Sequence, residues 1–118
     1  MNHSEHCGWF NFETWAVNLW MSNDAGSDEY YREMAQETYN TAQEETRADG
    51  SILFTRDEVA TRNLADCLKN DHEERQEEYS SQVIGVFADL LSAAMSEVNW
   101  HEIAEHYIND VDKESEAA

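Results

Sequence analysis

His101-Glu102-Ile103-Ala104-Glu105-His106 has the residue types of the zinc hydrolase motif H-E-x-x-H but not its spacing. Zincins place two histidines at i and i+4 so that both imidazoles share one helix face. Here the histidines are five apart, about 500° of helical turn, which leaves the rings roughly 140° apart around the axis. The inverted form H-x-x-E-H fails too, because Glu102 stands where its first histidine belongs. A di-iron bundle would need Glu-x-x-His pairs, yet Lys69, Val98 and Ile103 are the residues three before His72, His101 and His106. His3, His6 and Cys7 form a small soft-ligand cluster that would suit a transition metal. The sequence supplies no further ligands to complete it, so no metal and no cofactor is expected, although sequence alone leaves binding there open. No P-loop, dinucleotide fingerprint, nucleophile elbow or calcium loop occurs. The chain is read as a non-enzyme.

The remaining chemistry is charge. Twenty-six acidic residues face 7 basic ones, a formal net charge of -19 in 118 residues. Such a chain repels phosphate backbones and anionic membranes and is drawn to basic surfaces. Glu29, Glu33 and Glu37 stand at i, i+4 and i+8 on one helical face, with Glu44 continuing the row. Asp66, Glu73 and Glu77 make a second row, shadowed by Glu74 and Glu78, and Glu102, Glu105 and Asp112 a shorter third. Carboxylates four apart on a helix recur about every 6 Å along its axis, a scale comparable to phosphates on one nucleic acid strand. These rows therefore read as a candidate binding surface for a basic partner. Two blander readings stand beside it. A charge run can be a solvated face, and the presence of only two lysines, Lys69 and Lys113, fits salt adaptation. An excess of Glu over Asp argues against the latter.

These rows need helices to hold them. The chain has no proline and only 4 glycines, which fits long helices and few tight turns. Breaks near Gly26, Asp49-Gly50-Ser51 and Tyr79-Ser80-Ser81 divide it into segments with helical periodicity. Asn11 caps a first helix with Phe12, Trp15, Ala16, Leu19 and Trp20 expected on its inner face. Ser27 caps a second, running to about Arg47, with Tyr31, Met34, Ala35, Thr38 and Ala42 inward. Ile52-Leu53-Phe54 is a brief strand or buried connector. Thr55 and Glu58 form a capping box for a third helix, which buries Val59, Ala60, Leu64, Cys67 and Leu68. Val83, Ile84, Phe87, Leu91, Ala94, Met95 and Val98 form the broadest apolar stripe, so the fourth helix is expected at the centre. Asn99 caps a fifth, with Trp100, Ile103, Ala104, Tyr107, Ile108 and Val111 inward.

The expected fold is all-α, a compact bundle of about five amphipathic helices. Residues 1–10 are expected as a flexible N-terminus, 11–111 as a single helical domain and 112–118 as a frayed acidic tail. Trp15 and Trp100 are assigned to the core, while Trp9 and Trp20, nearer element ends, are candidate aromatic anchors for a partner. Two scattered cysteines, Cys7 and Cys67, fit a reducing compartment. With no basic, apolar leader and no stretch near the roughly 20 apolar residues of a membrane span, a cytoplasmic setting is expected.

Glu13-Thr14-Trp15-Ala16-Val17-Asn18-Leu19-Trp20, and Phe87-Ala88-Asp89-Leu90-Leu91 leading to Asn99-Trp100-His101-Glu102-Ile103-Ala104-Glu105-His106, carry a resemblance. From about Asn11 to Val111 the chain resembles a family of small, uncharacterised acidic proteins of phages, plasmids and assorted bacterial and archaeal genomes. The resemblance transfers no catalytic or ligand residue. It implies a mobile-element setting. Together with the charge, this leads to an expected nucleic-acid mimic that occupies the basic site of a host nuclease, methyltransferase, repair enzyme or CRISPR effector. Such a protein would act as a monomer or homodimer. The alternative is an adaptor docking through exposed aromatics.

Overall fold

Four of the five helices begin where a short polar side chain takes up a free backbone N–H. The structure is a computed structural model that describes residues 5–79 and 82–113. Asn11 accepts from the Thr14 N–H at the start of α1 (Phe12–Asn23), and Asp24 from Ser27 at the start of α2 (Ala25–Thr41). Thr55 and Glu58 form a reciprocal capping box on α3 (Arg56–Glu78), and Asn99 accepts from Glu102 on α5 (Trp100–Asn109). Each such cap contributes about 1 kcal/mol. The exception is α4 (Val86–Ser96), which starts after Gly85 at φ +64° with no side-chain cap. Ser27 thus sits inside the first turn of α2, and the cap is Asp24, three residues earlier.

The core lies among α2, α3 and α5, with α1 packed across α2 and α5. Tyr31, Ala35 and Tyr39 of α2 meet Val59, Ala60, Leu64 and Leu68 of α3 and Ile103, Ala104, Tyr107 and Ile108 of α5. The alanines at 35, 60 and 104 are fully buried and let the helix axes approach closely. Tyr30 and Tyr31, near the start of α2, reach Asp71 in the C-terminal half of α3. Arg56, at the start of α3, donates to the Tyr39 carbonyl near the end of α2. The two helices are therefore antiparallel neighbours.

The all-α expectation holds, with one small addition. Helix α2 stops at Thr41 rather than Arg47, and the chain turns into a hairpin of β1 (Glu45–Thr46) and β2 (Ile52–Phe54), paired Glu45 to Phe54 and Thr46 to Ile52. Asp49 builds the turn by accepting from the backbone and hydroxyl of Ser51, at 2.9 and 2.7 Å. Those two bonds hold its carboxyl below the usual carboxylate range. Ile52, Leu53 and Phe54 are exposed, so this run is a strand and not a buried connector.

Two helices depart from expectation. The stripe Phe12, Trp15, Ala16, Leu19 and Trp20 on α1 faces outward: Phe12, Leu19 and Trp20 are exposed, and the other two are half-buried. Thr14 and Met21, with Val17 beside them, face the core instead. Helix α4 is not central. It begins at Val86 rather than Val83, and none of its residues is buried; Val98, just beyond it, is. Cys67, expected inside α3, is exposed. Trp100 and Trp15 are half-buried, Trp100 resting against the core.

Residues 5–10, expected as a flexible lead-in, are bonded to the domain. His6 and Trp9 exchange backbone hydrogen bonds, and the Phe10 N–H donates to Glu102 Oε1 at 2.9 Å. At the other end, Gln36 bonds both backbone groups of Asp112, and Lys113 reaches Asp57 at 2.7 Å. The rest of the expected frayed tail, 114–118, and His3 lie outside the described residues.

Candidate acidic interface

Helical rotation places the carboxylates. On α2, Glu29, Glu33 and Glu37 fall within about 80° of one another, on the side away from Tyr31, Ala35 and Tyr39. All three are exposed. On α3, Asp66, Glu73 and Glu77 span about 40° opposite Leu64. They and the neighbouring Glu74 and Glu78 are exposed as well. The α2 row is roughly 12 Å long and the α3 row roughly 16 Å, each on the side of its helix that faces away from the core. Glu44 is exposed but lies in the coil after α2, so it does not extend the helical row. The third row dissolves: Glu102 turns in to receive the Phe10 N–H, which leaves Glu105 as the exposed member on α5.

Most of the few cations are engaged elsewhere, while Lys69 stands on the outer face of α3, three residues after Asp66 and four before Glu73. Arg32 pairs with Asp28 at 2.8 Å and Asp110 at 3.4 Å, Arg62 with Glu45 at 2.6 Å, Arg75 with Asp71 at 3.3 Å and Lys113 with Asp57 at 2.7 Å. Arg56 lies over the Tyr39 ring at 4.0 Å. Most of these contacts tie one element to the next. Among the described residues, no ion pair reaches Glu29, Glu33, Glu37, Glu44, Asp66, Glu73, Glu74 or Glu78. Charge is thus segregated: ion pairs gather along the seams, while the outer faces of α2 and α3 are negative, with Lys69 as the cation among the α3 acids.

Asp71 does structural work between α2 and α3. It accepts from Tyr31 Oη at 2.6 Å and Tyr30 Oη at 3.1 Å beside the Arg75 guanidinium. Burial first, and then this carboxylate, push the Tyr31 phenol above its usual range. Tyr107 is pushed up to about 12 by burial and by Asp28. Neither phenol ionises near neutral pH, so neither adds to the negative surface.

The aromatic anchors separate. Trp20, at the C-terminal end of α1, keeps 73% of its surface in water. It edges a cleft of about 330 Å³ with Tyr31, His72 and Arg75. Trp9 is half-buried and its ring lies 4.3 Å from that of His106, so it serves the fold. His6 sits edge-on against Trp15 and Phe12. His101 opens onto a different cleft, beside Asp57 and Arg62. Among the described residues, no three His, Cys, Asp or Glu side chains come together as metal ligands would. No described helix is long and apolar enough to cross a membrane.

Sequence reasoning missed one surface: Ile84, Val86, Phe87 and Leu90 at and before α4, all exposed. The missing cap at Gly85 was the signal that this helix is held differently from the rest. No protein-family model matches the chain, and neither a curated protein nor a solved structure does.

Proposed function

We propose that this protein is a nucleic-acid mimic, an inhibitor that lays the carboxylates of α2 and α3 into the basic site of a nucleic-acid-binding protein. The reading rests on charge segregation. Most cations pair along the seams, so among the described residues no ion pair reaches Glu29, Glu33 and Glu37 on α2 or Asp66, Glu73, Glu74 and Glu78 on α3, where Lys69 is the cation that stands among the acids. Like charges at i, i+4 destabilise a helix by a few tenths of a kcal/mol per pair; a surface evolving only for stability would intersperse more Lys than the single Lys69. Steering by such a surface speeds encounter with a basic groove. The target class is a nuclease, methyltransferase, repair enzyme or CRISPR effector in the cytoplasm, in a mobile-element counter-defence setting. The proposed chemistry is occupancy, without turnover.

The test is capture from a bacterial lysate on immobilised protein at low ionic strength. Captured proteins should bind duplex DNA themselves, elute with added duplex DNA, and be lost steeply between low and physiological salt. The combined change Glu29→Gln, Glu33→Gln and Glu37→Gln should lower capture at least about tenfold, about 1.4 kcal/mol or more, with the circular dichroism spectrum unchanged. Capture that is indifferent to DNA, salt and these substitutions rejects the reading. It would favour an adaptor docking through Trp20, which with Phe12 and Leu19 forms an exposed apolar face on α1.

A further inference from the structure

We propose that two copies of this chain form a two-fold dimer by pairing the outer faces of their α4 helices. Ile84, Val86, Phe87 and Leu90 keep 74, 61, 69 and 59% of their surface in water, and no residue of α4 is buried. An isolated helix of fewer than about 12–15 residues is marginal in water, and most helices in proteins are held by packing of an apolar face. This one has 11 residues and no side-chain N-cap. Its inner side, Ala88, Leu91, Ala94 and Met95, is half-buried. It stands off from α3 across a cleft of about 460 Å³ lined in part by Lys69, Glu73, Ser92 and Met95. Gln76 Nε2 reaches Ser92 Oγ over that gap at a long 3.4 Å. The outer side is left largely in water among the described residues.

Three observations select a second copy as the occupant. The first is charge. Val86–Ser96 contains one ionisable side chain, Asp89, in a chain whose net charge is -19. Two copies meeting through α2 or α3 would set carboxylate rows against each other, whereas meeting through α4 avoids this. A basic partner, conversely, is drawn to the rows and gains no charge pairing from α4.

The second is spacing. Val86, Leu90 and Ala93, all exposed, lie four and then three residues apart, the a/d repeat through which identical helices interlock. Ala93 leaves room for close approach of the two axes. A two-fold axis through this seam makes the contact self-complementary and closed, with no surface left for filament growth.

The third is area. Taking about 200 Å² for a large apolar side chain, these four leave roughly 500 Å² per copy to be covered. Two copies then bury about 1,000 Å², near the lower limit of specific interfaces. That size fits a reversible dimer and not an obligate one.

Sedimentation equilibrium of the full chain tests this over a wide concentration range, at low and high salt. Reductant is included because Cys7 and Cys67 are exposed thiols. The mass should rise from 13.7 kDa toward twice that value with concentration. Association should tighten in high salt, where repulsion between the two anionic copies is screened. Leu90→Asp and Phe87→Asp should each weaken it at least about tenfold and leave the monomer's helicity intact. A wild-type mass fixed at the monomer value in both salts overturns the proposal, as does dimerisation that neither substitution weakens. Should a variant lose helicity, amide hydrogen exchange of the wild type decides. Exchange in α4 must slow with concentration while that of α2 does not, and concentration-independent exchange overturns the proposal. The acidic rows lie on other helices, and salt acts on the two contacts in opposite directions, so each reading can fail without the other.

Discussion

A single buried hydroxyl joins the two ends of the chain. Thr14 Oγ1 donates to Asn11 Oδ1 at 2.6 Å and accepts the Asn99 N–H at 2.8 Å, while Asn11 Nδ2 donates to the Glu97 carbonyl at 2.7 Å. The start of α1 is thereby fixed to the turn between α4 and α5. Thr14→Val keeps the shape but leaves the Asn99 amide with no acceptor, so urea denaturation should show a loss of about 1–3 kcal/mol; Thr14→Ser should retain most of the stability. His72 makes a pH-dependent case. Its Nδ1 lies 2.9 Å from the Leu68 carbonyl, so that nitrogen carries the proton and donates, and its ring lies among Tyr31 and Trp100. Burial lowers its pKa below the ordinary 6.5, and the Leu68 carbonyl and Asp71 only partly offset this. The unfolded chain then takes up a proton near 6.5 while the folded chain resists it, so this contribution to stability is present above that pH and fades below it. Acid also relieves repulsion among the carboxylates, so the slope must be read against His72→Gln: from pH 7 downward, wild type should lose stability relative to that variant, and parallel curves would contradict the assignment. Asn11, Asn99 and the Thr55–Glu58 box were legible in the sequence because a cap bonds three residues along the chain. The Thr14 clamp was not, since its partner amide is 85 residues away.

At the scale of elements, what sequence could not decide was direction. Periodicity in α1 and α4 reveals an apolar face without saying what covers it. In α2, α3 and α5 the opposite face is polar or charged, so only one side could enter the core, and Tyr31, Ala35, Leu64, Leu68, Ile103 and Ile108 lie where their spacing puts them. Helix α1 is apolar on both sides. Thr14 and Met21 win the core because the clamp to Asn99 fixes the helix's rotation, and the aromatic stripe is left outside. Helix α4 has the richest apolar composition and no comparable anchor. The contrast is measurable in a pair of truncations. Leu64→Ala removes a fully buried side chain from the α3 seam and should destabilise by about 2–5 kcal/mol. Leu90→Ala, at concentrations where the chain is monomeric, should stay within about 0.5 kcal/mol of wild type. A large effect at Leu90 in the monomer would return α4 to the core.

Across the whole molecule, the net charge of -19 acts on stability and on binding with opposite signs. Ion-paired seams and negative outer faces mean that the folded state concentrates repulsion on α2 and α3, where the unfolded chain spreads it. Salt should therefore raise the melting temperature, most of the gain coming as the Debye length falls to about 10 Å at 0.1 M and below. Removing the α2 row sharpens the argument. Glu29, Glu33 and Glu37 contribute two i, i+4 repulsions, so replacing all three by Gln should stabilise the protein by roughly 0.5–1 kcal/mol at low salt, and by close to nothing at high salt. The same triple change is expected to lower DNA-displaceable capture at least about tenfold. A surface kept only for solvation would yield the gain in stability with no loss of capture. A gain in stability joined to a loss of binding is the signature of charge held against the interest of the fold. Denaturation and capture, measured on one variant at two salt concentrations, separate these outcomes.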